Sequence, residues 1–229
     1  MKAKKVCFTE AAYFIGIFIL ALGTALMEKA NFGMSMVVAP AYLLHLKLSQ
    51  HYPIFSFGMA EYIFQAILIV ILTAIMRNFK KSYLFSFVTA VIYGFALDIM
   101  IWAVRAVPSE GVIIRTVLFM LGLLFGTIGV AFLFHTYIAP EAYELVVKEI
   151  SLSRGIKIEK VKTVYDCISC AVGILMSFAF FGFGQFEGVK LGTIFCALIN
   201  GKLIGLIGGA LESSFEFKDA LKLREMFNK

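Results

Sequence analysis

Six stretches of the chain are apolar over about the length that crosses a bilayer: residues 8–27, 57–76, 82–104, 113–134, 161–183 and 188–211. About 20 residues at 1.5 Å per residue span the ~30 Å of hydrocarbon. Each run is continuous rather than alternating, so the pattern predicts helices, which satisfy every backbone N–H and C=O internally, and not the strands of an outer-membrane barrel. Two further segments differ. Residues 32–47 are apolar but short and contain Pro40. Residues 138–152 carry Glu141, Glu144, Lys148 and Glu149. Charges at the bilayer centre cost about 2.5–3.5 kcal/mol each, so this second segment is expected to be a short re-entrant or interfacial helix.

Composition narrows the class. The chain has 229 residues, 61% of them hydrophobic and 16% charged, with a mean hydropathy of +0.90. Soluble domains are about 45–50% apolar and 25% charged. The bilayer therefore serves as the apolar solvent, and the expected fold is all-α and polytopic. The net charge of +6 lies in the gaps between apolar runs, as topology signals do, and argues against a nucleic-acid partner. Fifteen Lys and Arg fall on one set of gaps and five (Lys29, Lys47, Arg105, Arg115 and Lys190) on the other, with Lys202 inside a run. With six crossings, both termini are expected on the cytoplasmic side of a bacterial plasma membrane. The basic start followed by a long apolar run reads as an uncleaved first helix.

The two halves resemble each other. GTALMEKANFG at 23–33 aligns with GVAFLFHTYIA at 129–139, an offset of 106. Leu48-Ser49-Gln50 matches Leu152-Ser153-Arg154, Glu61 falls beside Asp166, and Gly94 lies over Gly201. Each half reads as span, short helix, span, span, giving repeats over 8–105 and 113–211 and an amphipathic, basic cytoplasmic tail over 212–229. Three crossings per half is an odd number, so the second half inserts upside down.

With the repeat in view, the chain resembles the YczE/YyaS/YitT family of bacterial membrane proteins. The resemblance rests on Phe32-Gly33-Met34-Ser35, Tyr143-Glu144-Leu145, Leu152-Ser153-Arg154, the stretch from Leu191-Gly192-Thr193 to Asn200-Gly201, and Gly94 to Asp98. Where such proteins show an acidic Gly-x-x-Pro-Trp/Tyr-Asp pattern after the first span, this chain has Met36-Val37-Val38. The resemblance implies a duplicated integral membrane protein that transports a small solute.

Ionisable groups inside apolar runs are costly and mark sites. Glu61, Asp98, Asp166 and Lys202 are of this kind. Their depths predict an outer cluster of Glu61 and Asp98, with Arg105 or Arg115, and an inner cluster of Asp166 and Lys202. These serve substrate or protons, or else form ion pairs that fix helix register. Asn31, Asn200 and the short-helix starts near Gly33 and Ala139 form a second group, because half-helix N-termini aim positive dipoles at anions. Tyr143 and Glu144 join the candidates from the second-half motif. Cys7, Cys167, Cys170 and Cys196 suggest no disulfide framework, and Cys167 and Cys170 are read as packing residues.

No metal spacing, cofactor motif or nucleophile–base set is visible, so neither an enzyme nor a cofactor is expected. Gly201, Gly205 and Gly209 form a small-residue face suited to packing within the monomer or at a homodimer seam. The expected function is secondary transport of a small organic solute (a vitamin, amino acid or metabolite). The alternative is a non-transporting partner, such as the substrate-binding subunit of a vitamin importer or an assembly factor.

Overall fold

Helices end where the sequence supplies a cap or a break. Asn31 and Arg77 take left-handed backbone conformations at the ends of the first and third helices, and Gly155 does so after the sixth. Ser56 opens the third helix by accepting the Met59 N–H at 3.1 Å, and Pro40 lies in the first turn of the second. The computed structural model describes residues 4–221 and Arg224. Among them are eight helices: α1 (Thr9–Ala30), α2 (Ala39–Ser49), α3 (Phe57–Met76), α4 (Ser82–Val104), α5 (Val112–Phe134), α6 (Ala142–Arg154), α7 (Ile158–Phe181) and α8 (Leu191–Ser214). Two short strands, β1 (Lys5–Phe8) and β2 (Phe215–Lys218), complete the fold.

Six helices of 20 to 24 residues are long and apolar enough to cross a membrane, and they match the six apolar runs. α2 and α6, with 11 and 13 residues, are too short to cross at 1.5 Å per residue. Both pack against long helices of the bundle. α2 packs against α3 and α7, and α6 packs against α3, α4 and α7. Each short helix therefore touches both halves, as a re-entrant element does. The outward faces carry exposed Val70, Leu84, Ile113, Leu175, Leu198 and Leu206, which suits contact with lipid.

α1 and α5 make the most extensive helix contact, and glycine is the reason. A Cβ on Gly16 would lie 3.0 Å from the Gly129 carbonyl oxygen, and one on Gly129 would lie 2.7 Å from that of Gly16. The same reciprocity joins Gly23 and Gly122, at 2.7 and 2.8 Å. No larger side chain fits such an approach, which lets the two backbones pack directly. Gly16 and Gly122 are 106 residues apart, as are Gly23 and Gly129. Exchanging the halves thus exchanges the two contacts, and the rising numbers on α1 meet falling numbers on α5. The halves meet through an antiparallel, two-fold-like crossing.

Other contacts obey the same exchange. α1 packs on α4 as α5 packs on α8. The α3–α4 pair matches α7–α8, α2–α3 matches α6–α7, and α2–α7 matches α6–α3. By contrast, the evenly spaced glycines of α8 do not form a seam between halves. Gly201 and Gly205 pack on Glu159 and Thr163 of α7, and a Cβ on Gly209 would meet nothing within 4 Å.

β1 and β2 pair in parallel, with Val6 opposite Glu216 and Cys7 opposite Phe217. Residues 5–8 and 215–218 therefore lie on one face, as an even number of crossings between them requires. Of the predicted tail, residues 212–214 close α8 and 215–218 form this strand. Residues 222, 223 and 225–229 of the predicted amphipathic tail lie outside the described residues, as do Lys2, Lys222 and Lys229 of the charge count.

Candidate functional site

Charged side chains are seldom fully buried without partners. Here five are buried together at the seam of the halves. Glu61, Glu141, Glu144, Asp166 and Lys162 are each no more than 2% exposed. Glu61 comes from α3 and Lys162 and Asp166 from α7. Glu141 and Glu144 come from the start of α6, which the packing of that short helix between α3, α4 and α7 pushes into the interior.

Two networks organise the cluster. In the first, Glu61 Oε2 accepts from the Tyr143 hydroxyl at 2.8 Å and from Gln65 Nε2 at 3.1 Å, and Gln65 Oε1 accepts the Ala142 N–H at 2.9 Å. That amide belongs to the first turn of α6, so Gln65 links the positive end of the short helix to Glu61. In the second, Lys162 Nζ donates to Glu144 Oε1 at 2.7 Å and pairs with Asp166 Oδ1 at 3.1 Å, one helical turn along α7. Several acceptors remain without hydrogen bonds: Glu61 Oε1, Glu141 Oε1 and Glu144 Oε2. Glu141 has neither a side-chain hydrogen bond nor an ion pair among the described residues.

The cluster borders a central cavity of ≈ 30 Å³. Its walls come from both halves as counterparts. Leu20 and Gly126, Thr24 and Val130, Ser35 and Glu141, Val37 and Tyr143, and Val38 and Glu144 all line it, each pair 106 residues apart. Tyr93 and Asn200 make a further pair, 107 apart. The cavity therefore sits on the axis relating the halves, but its chemistry is one-sided. Where the second half supplies Glu141, Tyr143 and Glu144, the first supplies Ser35, Val37 and Val38. Thr127 donates to Leu123 O at 2.6 Å and lies 3.3 Å from Asn200 Oδ1, and Thr24 shares a 2.9 Å hydrogen bond with Tyr93.

The sequence-predicted residues divide accordingly. Glu61, Asp166, Asn200, Tyr143 and Glu144 come together in this centre. Lys202 does not join Asp166: it is exposed on the outer face of α8, and the cation at Asp166 is Lys162. Lys162 counts by position as a loop charge, yet it is buried within α7. Nor do Glu61 and Asp98 share a partner. Asp98 accepts from Ser56 Oγ at 2.8 Å and Gly58 N at 3.1 Å, so it caps the start of α3 while Glu61 points to α6.

Arg105 and Arg115 join neither acid. The Arg105 carbonyl accepts from Lys29 Nζ, and Arg115 donates to the Ala30 and Asn31 carbonyls. Asn31 lies at the end of α1, where Lys190 Nζ reaches its Oδ1 at 2.6 Å. Two cations on the last carbonyls of a helix complement its negative end, which is a capping role away from the cavity.

Sequence reasoning missed Lys162, Glu141 and Gln65 as site residues. The signals were present as i, i+4 spacings: Lys162 to Asp166 and Glu61 to Gln65.

Fold and site together define a polytopic α-helical membrane protein whose two halves enclose a buried, mostly acidic centre. The chain belongs to a family of unknown function, DUF6198, whose sequence model matches residues 7–208. No curated protein and no solved structure matches it.

Proposed function

We propose that this protein is a secondary transporter of a small organic solute, working by alternating access as one half rocks against the other. The observation that carries the reading is the central cavity, lined by counterpart residues of both halves and by buried carboxylates with free acceptors. Buried charge in a membrane interior is costly and is kept at substrate and ion pathways. Inverted repeats with sites at their interface, and short helices ending inside the membrane, are recurrent transporter architecture. Resemblance to the YczE/YyaS/YitT proteins points the same way. With ≈ 30 Å³ of room, the cavity must widen to admit a metabolite.

In this reading the membrane is the bacterial plasma membrane and the paired termini face the cytoplasm, where most of the Lys and Arg gather. The test is flux. Proteoliposomes preloaded with a defined mixture of vitamins, amino acids and metabolites are sampled by mass spectrometry. Protein-dependent movement of one solute, lost in Glu144→Gln, supports transport. The absence of movement of any solute, together with co-purification of an ATPase module from native membranes, would instead make the chain a non-transporting importer subunit.

A further inference from the structure

We infer that the seam cavity is a binding site for a small monovalent metal cation of the sodium type, held by Glu141, Glu144 and neighbouring neutral oxygens. This deepens the transport reading by assigning its coupling ion, and rests on that reading for the coupling role only.

The first argument is charge. Four buried carboxyls face one buried ammonium, and Lys162 is already committed to Glu144 Oε1 and Asp166 Oδ1. A carboxylate taken from water needs a compensating partner. Glu141 has no side-chain hydrogen bond or close ion pair among the described residues, and Glu144 keeps Oε2 free. Both residues line the cavity.

The second argument is donor type. The polar lining offers carboxylate, amide and hydroxyl oxygens: Glu141, Glu144, Asn200, Thr127 and Tyr143. Hard oxygen donors select hard cations. Thr127 spends its proton on the Leu123 carbonyl, which leaves its lone pairs available, and it sits beside Asn200 Oδ1. Only two carboxylates, Glu141 and Glu144, line the cavity, so a carboxylate-rich divalent cage is not offered. A low-charge ion served mainly by neutral oxygens fits this set better.

The third argument is size. A cavity of ≈ 30 Å³ admits about two or three water-sized occupants, since one needs roughly 10–15 Å³. A dehydrated sodium ion fits without opening the halves, and an organic cation of more than a few heavy atoms does not.

Thermal unfolding of the purified full-length protein in detergent tests this at fixed ionic strength and pH, with sodium chloride, potassium chloride or choline chloride. Sodium should raise the midpoint by several degrees over choline, because only the folded state holds the site. The rise should vanish in Glu141→Gln and Glu144→Gln and persist in Lys202→Ala. Equilibrium dialysis of the wild-type chain with radioactive sodium is the second measurement and needs no variant to fold: about one ion per chain is expected, displaced by excess unlabelled sodium. The inference is overturned if choline stabilises as well as sodium, or if the glutamine variants keep the response. It also fails if, in a parallel series at lower pH, acidification alone stabilises with no sodium dependence, which would give the site to protons. Binding is read in detergent, so its failure is distinct from failure of the flux assay.

Discussion

The Tyr143 hydroxyl donates to Glu61 Oε2 across the seam, joining the short helix of the second half to a long helix of the first. Removing that donor leaves a fully buried carboxylate with Gln65 alone. Tyr143→Phe should therefore cost about 1–3 kcal/mol of stability, the range for hydrogen bonds to charged groups and for orphaned buried acceptors. Chemical denaturation in mixed micelles measures it. Gln65→Leu should show a similar loss, because it also strips the first amide of α6 of its acceptor.

Lys162 is the buried cation of the centre. Lys162→Met should destabilise by roughly 3–5 kcal/mol, the typical cost of leaving buried carboxylates without their ion-pair partner. Lys202→Ala, on an exposed position of the neighbouring helix, should stay within about 0.5 kcal/mol of the parent. The contrast separates the two lysines by thermal unfolding and by yield of folded protein from membranes.

The glycine crossing gives a steric prediction. Gly23→Leu and Gly129→Leu each place side-chain atoms against the opposing backbone and should cost at least the ~1–3 kcal/mol of an overpacked core. Gly209→Leu meets open space and should be tolerated. Retention of folded protein on gel filtration after a heat step ranks the three.

The strand pair fixes the termini. Val6→Cys and Glu216→Cys, introduced together in a chain whose four native cysteines are replaced, should cross-link with an oxidant or a short bifunctional reagent within one molecule. A mass shift on tryptic peptide mapping reports it. Single-cysteine chains with Cys at 6 or at 216 should be labelled by impermeant maleimide from the same side of the membrane.

Asp98 organises the start of α3 through Ser56 and Gly58. Asp98→Ala should weaken that cap by about 0.5–2 kcal/mol. It should leave the cavity chemistry of Glu141 and Glu144 in place, so flux per folded molecule stays near the parent value.

Much of this architecture is written in the sequence. Long apolar runs can only be helices in lipid, so all six spans are readable, and the charges of 138–152 mark that segment as too polar and too short to cross. The offset of 106 is readable too. What it does not disclose is which pairs of counterparts touch. The regular Gly201, Gly205 and Gly209 draw the eye, yet the close crossing is made by Gly16, Gly23, Gly122 and Gly129, whose proximity exists only once α1 lies antiparallel to α5.

The centre was half legible for a similar reason. Asp166 and Glu61 stand out because acids in apolar runs do. Lys162, in the second turn of α7, passes for a topology charge until the packing of α6 closes over it. Likewise Glu61 and Tyr143 are 82 residues apart, and no local pattern links them.

In alternating access the seam cavity opens to each side of the membrane in turn. A single cysteine at Val38, which lines the cavity with Glu144, tests it in a chain otherwise free of cysteine. Right-side-out and inside-out vesicles are treated with a small membrane-impermeant thiol reagent, and modification is followed by mass spectrometry. Alternating access predicts modification from both sides, each slowed by saturating solute or sodium. Modification from one side only would contradict it and leave a fixed binding pocket rather than a carrier.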